Sequence, residues 1–146
     1  NLNYRFQPKD ESRREAADPV LEYFKGYYYL FASIGSCCEG LKSTYTTVVG
    51  RSDSLFGPYT DKQGQPMMEN HHEILIHGND AFVGTGHNSE IVADDRGNDW
   101  ILYHAVSRAH PTGRVLMLDR IRWKDGWPEV EGASPSLEAE APEFVN

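Results

Sequence analysis

The sequence predicts an all-β protein built from short antiparallel strands in meander order. Three observations lead there. Runs rich in Val, Ile, Thr, Tyr, Phe and Trp recur along the chain; these residue types suit a pleated, half-buried surface. Clusters of Gly, Asp, Asn and Pro punctuate the runs where turns are needed. No segment holds a 3.6-residue apolar period long enough for an amphipathic helix. "DESRREAA" is helix-compatible in composition, but it is short and runs into Asp18-Pro19. Sandwich, barrel and propeller blade all accept such a pattern, and local patterning does not choose among them.

Residues 1–18 form an extended lead-in, polar and charged without periodicity through Arg14. "PVLEYF" and "GYYYLFAS" are two β-rich runs joined at Lys25-Gly26, a hairpin signal. "STYTTVVGRS" follows, rich in β-branched residues, and then "SLFGPYTDKQGQP", a loop dense in Gly and Pro. "EILIHG" is a short strand candidate. "SEIVADDRGNDWILYHAV" reads as strand, turn, strand, with Asp95 to Asn98 as the turn. In "GRVLMLDRIRW", alternation sets Val115, Met117, Ile121 and Trp123 on one face and Arg120 and Arg122 on the other. An Asp-Gly turn in "KDGWPEV" leads into a last short strand, for roughly eight strands in all. Residues 134–146 are acidic and Pro-containing, a strap or a disordered end. "GYYYLFAS" and "NDWILYHAV" echo one another some seventy residues apart. One four-stranded propeller blade takes about 40–50 residues, and large loops make up the difference.

With 146 residues there is enough chain for one domain with a real core. The net charge of −8 argues against a nucleic-acid partner, whose affinity comes from Lys and Arg neutralising phosphates. It disfavours an anionic membrane surface for the same reason. The apolar runs are far too short to span a bilayer. No signal peptide is visible. The chain opens on Asn1, so the expectation is a start that has been cut or processed.

Cys37 and Cys38 are the two cysteines, and they are neighbours. Two cysteines make no disulfide scaffold, and no His stands near them in sequence for zinc. Adjacent Cα atoms lie about 3.8 Å apart, below the usual disulfide range of about 4.4–6.8 Å. Two readings stand: small residues at a tight loop, or a vicinal disulfide.

Of the histidines, His71-His72 has no partner at a ligand spacing and reads as a loop. His87, in "GTGHNSEI", sits before a strand after Gly84 and Gly86. Those glycines allow positive φ or close backbone approach. This is a place for a ligand, an ion or a bound water, or for a structural hydrogen bond. The segment is no phosphate loop, because it lacks the lysine and opens a strand. Glycoside hydrolysis needs two carboxyl groups astride the scissile bond. Glu15, Asp18, Glu22, Glu39, Glu73 and Glu90 are candidates, and spacing selects none. No nucleophile elbow is present, and Ser36 has no evident base nearby.

Read in order, several segments resemble glycoside hydrolase family 43, in particular its arabinanases. "GYYYLFASIGSCCEGLKSTYTTVVGRSDSLFGPYTDKQGQPM" carries Cys-Cys-x-Gly, Ser-Thr-Tyr, Val-Gly-Arg-Ser, Gly-Pro-Tyr and Asp-Lys-x-Gly after an aromatic strand. "GTGHNS", "DWILYHA" and "IRWKDGWPEV" continue the match to Val130. The resemblance implies a five-bladed β-propeller with its site at the mouth of the central channel. It implies an inverting hydrolase of α-1,5-linked arabinan, secreted or periplasmic, using an Asp base, a second Asp and a Glu acid. Arabinofuranosidases and β-xylosidases belong to the same family. The His matching His87 would hold calcium, another ion or a water cluster at the channel centre. Cys37 and Cys38, with Ser36 before them, would line the substrate channel.

The departures bear on function. The resemblance covers about 110 residues, from Gly26 to Val130, and implies only the C-terminal part, about two to three of five blades, placed at residues 19–133. Both family aspartates belong to N-terminal blades, so the catalytic base is outside this chain. The acid's place, ten residues before Tyr27, is Ala17. The acid is then Glu15 with a two-residue shift, or it is absent; Asp18 is a third candidate, more simply the family's Ala/Gly position before Pro19. An acid-free chain would be a non-catalytic carbohydrate-binding or structural fragment. An open half-propeller also calls for a partner, because closure protects its exposed faces. That partner is the missing N-terminal blades as a second chain, or a second copy of this one.

Overall fold

The structure is a computed structural model that describes residues 16–145. The described residues form nine strands: β1 (Ala17–Phe24), β2 (Tyr27–Ile34), β3 (Thr46–Ser52), β4 (Glu73–Ile76), β5 (Phe82–Gly86), β6 (Ile91–Ala93), β7 (Asp99–Ser107), β8 (Val115–Lys124) and β9 (Trp127–Glu129). Among the described residues, helix is confined to three single 3-10 turns. Strands β1 to β4 form an antiparallel sheet in chain order. In the second sheet β5 and β6 pair with successive stretches of β7, followed by β8 and β9. Each sheet is a four-layer meander, the plan of a propeller blade.

The turns are where the sequence places them. Lys25 and Gly26 both have positive φ, 46° and 90°, the requirement of a two-residue hairpin whose twist matches its strands. Asp125 and Gly126 repeat this at 50° and 75°. Strand β1 begins two residues earlier than "PVLEYF" suggests. Its register with β2 shifts between Ala17 and Val20, a bulge at Asp18, where φ is 53°. Val115 sits past the edge of the core and is exposed, while Met117 and Trp123 pack against the core and Ile121 lies in it. Asp119 shares that inward face and is buried, accepting the Tyr103 hydroxyl at 2.6 Å.

The main core lies between the sheets. Tyr29, Phe31, Val49, Leu75 and Ile76 come from the first, and Ile101, Tyr103 and Ile121 from the second. Trp123 stacks on Phe24 at 4.0 Å and meets Tyr29 edge-on. The Tyr29 hydroxyl donates to the Gly126 carbonyl. Arg51 lies over the rings of Tyr27 and Trp127, at 4.1 and 4.7 Å. Thr85 bonds the Ile76 carbonyl at 2.8 Å and so ties β5 to β4. A smaller core of Leu30, Tyr59 and Met67 sits beneath the loop after β3, which Thr60 bridges to Arg51 and Pro66. The segment after β9 straps the second sheet through Ser136 to Asp119 and Glu143 to Asp94 and Asp95.

Candidate functional site

The start of β1, the end of β2, the start of β3 and the end of β5 meet at one end of the two sheets. The β1 bulge puts the Asp18 carboxylate into this junction. The Tyr45 hydroxyl donates to its Oδ2 at 2.6 Å, and His87 Nε2 stands 3.7 Å from Oδ1. His87 follows β5 with φ 54°, and its backbone N–H bonds the buried Ser33 hydroxyl at 2.8 Å. Its ring meets His104 edge-on at 5.6 Å. His104, on β7, lies parallel to Tyr45 at 6.3 Å, with Arg114 3.3 Å from its Nε2.

This closeness depends on absent side chains. A Cβ on Gly86 would fall against the Tyr45 ring, and one on Gly84 would lie 2.7 Å from the Ser43 hydroxyl. The two glycines let the loop before β3 press on β5, which is the use the sequence indicates for them.

The electrostatics set protonation states. Burial raises the Tyr45 pKa, and the hydrogen bond to Asp18 raises it further, so Tyr45 stays a hydrogen-bond donor. Burial lowers the His104 pKa, and the Arg114 and His87 charges lower it again. A neutral His104 can accept from the Arg114 guanidinium at Nε2.

Cys37 and Cys38 are bonded to each other, with Cα atoms 3.8 Å apart and Cys38 at φ 67°. The disulfide walls a cavity of about 280 Å³ together with Tyr45, His104 and Arg114. Ser36 is not part of the wall. It clasps the loop, accepting the Ser43 hydroxyl at its carbonyl and contacting the Thr44 hydroxyl at 3.1 Å. Glu15 lies outside the described residues. Glu22 is engaged with the Ile91 N–H at 2.8 Å, and Glu73 with Lys62. Glu39 and Glu90 are exposed. His71 stands near Asp61, on the loop after β3. Sequence reasoning picked out His87 and the cysteine pair but passed over Tyr45, His104 and Arg114. The signal for Tyr45 and His104 lay inside the segments "STY" and "ILYHA", yet nothing local distinguishes them from core residues.

Among the described residues no group of three or more His, Cys, Asp or Glu side chains could hold a metal. Calcium takes about six to eight oxygen ligands. His87 and Asp18 offer two donor groups, too few to make a calcium site by themselves.

Two propeller blades with a carboxylate, a phenol, two imidazoles and a disulfide-walled cavity at one end define a propeller protein with a polar site where its blades meet. The chain belongs to the glycosyl hydrolases family 43, whose model matches residues 13–128. It is 44% identical over 106 residues to the extracellular exo-alpha-(1->5)-L-arabinofuranosidase ArbA of Cellvibrio japonicus, covering 72% of this chain and 30% of the relative. It is 40% identical over 111 residues to the extracellular endo-alpha-(1->5)-L-arabinanase 1 of Bacillus subtilis, covering 75% and 32%. The alpha-L-arabinanase of Cellvibrio cellulosa, solved with arabinohexaose, superposes with a TM-score of 0.73 at 41% identity, over 79% of this chain and 36% of that one. The chain therefore spans about a third of the length of these relatives.

Proposed function

We propose that this chain supplies two blades of a secreted or periplasmic glycoside hydrolase that cleaves α-1,5-linked arabinan with inversion. The observation that carries the reading is the Asp18–Tyr45–His87–His104 cluster beside the disulfide cavity, in a chain whose relatives include an exo-acting and an endo-acting α-1,5-arabinan hydrolase. Asp18 is the one carboxylate in contact with this cluster among the described residues. An inverting pair stands about 6.5–9.5 Å apart across the bond, so the second carboxyl, the base, belongs to blades outside this chain. The partner is those blades, and the cavity wall of Cys37 and Cys38 contacts the sugar. His87 contributes one ligand to an ion or water cluster at the channel centre, with the other donors coming from water and from the absent blades.

The test measures sugar release from linear arabinan by the chain alone and by the chain combined with the N-terminal blades of an arabinanase. Release only from the combination is expected. Ala17 in the acid's expected position favours a second reading, a binding fragment without catalysis. Arabinan binding without release in either preparation would establish that instead. Release from xylan in preference to arabinan would move the chain to the xylosidase branch. For His87, the expected result is that His87→Ala in the combined protein loses bound calcium; unchanged calcium content would remove His87 from the ion site.

A further inference from the structure

We propose that the cavity between the strap and the second blade is a second binding site, and that it takes a neutral sugar chain, a short α-1,5-arabino-oligosaccharide. The choice of sugar rests on the arabinan reading above. The cavity measures about 510 Å³, within the range of about 300–1,000 Å³ usual for small-ligand sites. It shares no lining residue with the disulfide cavity. Trp100 lines the one and His104 the other. The two stand four residues apart on one face of β7, about 13 Å along the strand. The family match ends at residue 128, so the strap that roofs this cavity lies beyond it.

The strap is an arch with two feet. The Ser136 N–H reaches the Asp119 carboxylate at 3.3 Å, and the Glu143 N–H reaches Asp94 at 3.5 Å. Among the described residues, no hydrogen bond or ion pair ties residues 137–142 to the blade between those feet. The floor is set by strand register, which pairs Trp100 with Arg120 across β7 and β8. The Trp100 N–H is spent on Asp94 at 3.0 Å, and Val130, Ala139 and Ala141 add apolar wall. Arg120 is only partly satisfied. Its Nη2 donates to Asn98 Oδ1 at 2.7 Å, but its Nε is buried without a hydrogen-bond partner. A buried charged donor is costly to leave unmade, and native structures seldom do so. An oxygen of a ligand in the cavity would satisfy it.

The charges select the class of ligand. Three guanidinium groups and six carboxyl groups line the cavity. Asp94, Asp119 and Glu143 are committed to Trp100, Tyr103 and Arg96. Left over are Arg120 Nε and Arg122 as donors, and Glu131, Glu138 and Glu140 as acceptors. An anion would meet the carboxylates. A cation would meet the guanidinium groups, and these carboxylates form no group that could hold a metal. A neutral polyhydroxyl ligand meets neither objection. Its oxygens accept from the arginines, its hydroxyls donate to the glutamates, and its C–H faces lie against apolar wall. Ligand sites commonly combine such a wall with a few placed polar groups.

The test titrates arabinotriose into the isotope-labelled full chain combined with unlabelled N-terminal blades of an arabinanase, and reads the chain's nitrogen-bound protons by NMR. The expected result is a saturable shift of the Arg120 Nε–H and of the Ala139 and Ala141 amides. Arg120→Lys, which keeps the charge and removes that donor, should weaken the response of the strap amides about tenfold, the worth of one hydrogen bond to a charged group. Ala139→Trp, at an exposed strap position, should fill the cavity and abolish the Arg120 shift. Shifts confined to His87 and His104, with Arg120 and the strap unmoved, overturn the proposal. So does an Arg120 shift that survives Ala139→Trp, or strap binding unchanged in Arg120→Lys. Inorganic phosphate moving the same signals at lower concentration than arabinotriose marks an anion site and overturns it too. Absence of sugar release from arabinan with the Arg120 shift intact defeats the hydrolase reading and spares this site. Release with the Arg120 and strap signals still defeats this site alone.

Discussion

His104 shows how one side chain reports the state of the site. Its ring is wedged between Tyr45, His87 and Arg114, and its Nδ1 is buried without a hydrogen-bond partner. Burial holds its pKa below the ordinary histidine value, and Arg114 and His87 add to the effect, against the nearby Asp18 charge. A base that refuses a proton in the folded state gains one on unfolding. Stability is then complete above the unfolded value, about 6.5, and falls as pH drops below it. The urea midpoint should therefore decrease between about pH 7.5 and pH 5.5, and less so in His104→Gln. Equal decreases in both proteins would show that another group controls the slope. The same residue shows why the site was only half legible in the sequence. His87 announced itself through flanking glycines, and the cysteines through adjacency. Asp18 and Tyr45 are 27 positions apart and meet through a bulge. No local pattern encodes a contact made by register between strands and by two glycines that let a loop close on a neighbouring blade.

The strands were legible because each run is bounded by a turn whose chemistry is local. Lys25-Gly26 and Asp125-Gly126 supply the positive φ values, and β-branched and aromatic residues fill the runs between. Sheet membership was less legible. β5 and β6 act as one interrupted strand against β7, and "GTGHNS" gives no sign of it. The strap was left open by composition, and Asp94 explains its order. Burial raises the Asp94 pKa, but the Trp100 indole N–H, the backbone N–H groups of Asn98 and Glu143 and the Asn98 side chain hold the ion, and its pKa falls to about 2. Asp94 thus caps its own turn and ties the strap to the second blade. A carboxyl depressed in the folded state contributes stability above its unfolded value, about 3.9, and that contribution is lost as pH falls towards 2. Asp94→Asn should lower the thermal midpoint at pH 7 and free the strap to protease. At pH 2 variant and parent should converge. A gap that persists at pH 2 would mean that shape rather than charge is what Asp94 provides.

The echo between "GYYYLFAS" and "NDWILYHAV" becomes architecture in the whole molecule. The two segments are β2 and β7, the second layers of the two blades, and their Tyr29, Phe31, Ile101 and Tyr103 side chains face one another in a single core. A blade exposes an apolar face that it cannot bury alone, so adjacent blades share it. The consequence is cooperative unfolding. Phe31 is fully buried on the first blade. Replacing such a ring with Ala removes its transfer energy and leaves a cavity, at a cost of about 3–5 kcal/mol. Against a total stability of about 5–15 kcal/mol for a domain, Phe31→Ala leaves little margin. The three tryptophans, Trp100, Trp123 and Trp127, all lie on the second blade. Trp123 and Trp127 also touch Phe24 and Tyr29 of the first blade, so in a background with both tryptophans replaced by Phe the fluorescence of Trp100 reads the second blade while the mutation sits on the other. If the shared core is the unit of stability, the tryptophan transition shifts to lower urea by the full cost of the substitution and coincides with the loss of far-UV circular dichroism. A tryptophan transition left in place while part of the β signal melts early would mean that the blades fold independently. The junction holding Asp18, Tyr45 and His87 would then owe its geometry to local contacts instead of to the core beneath it.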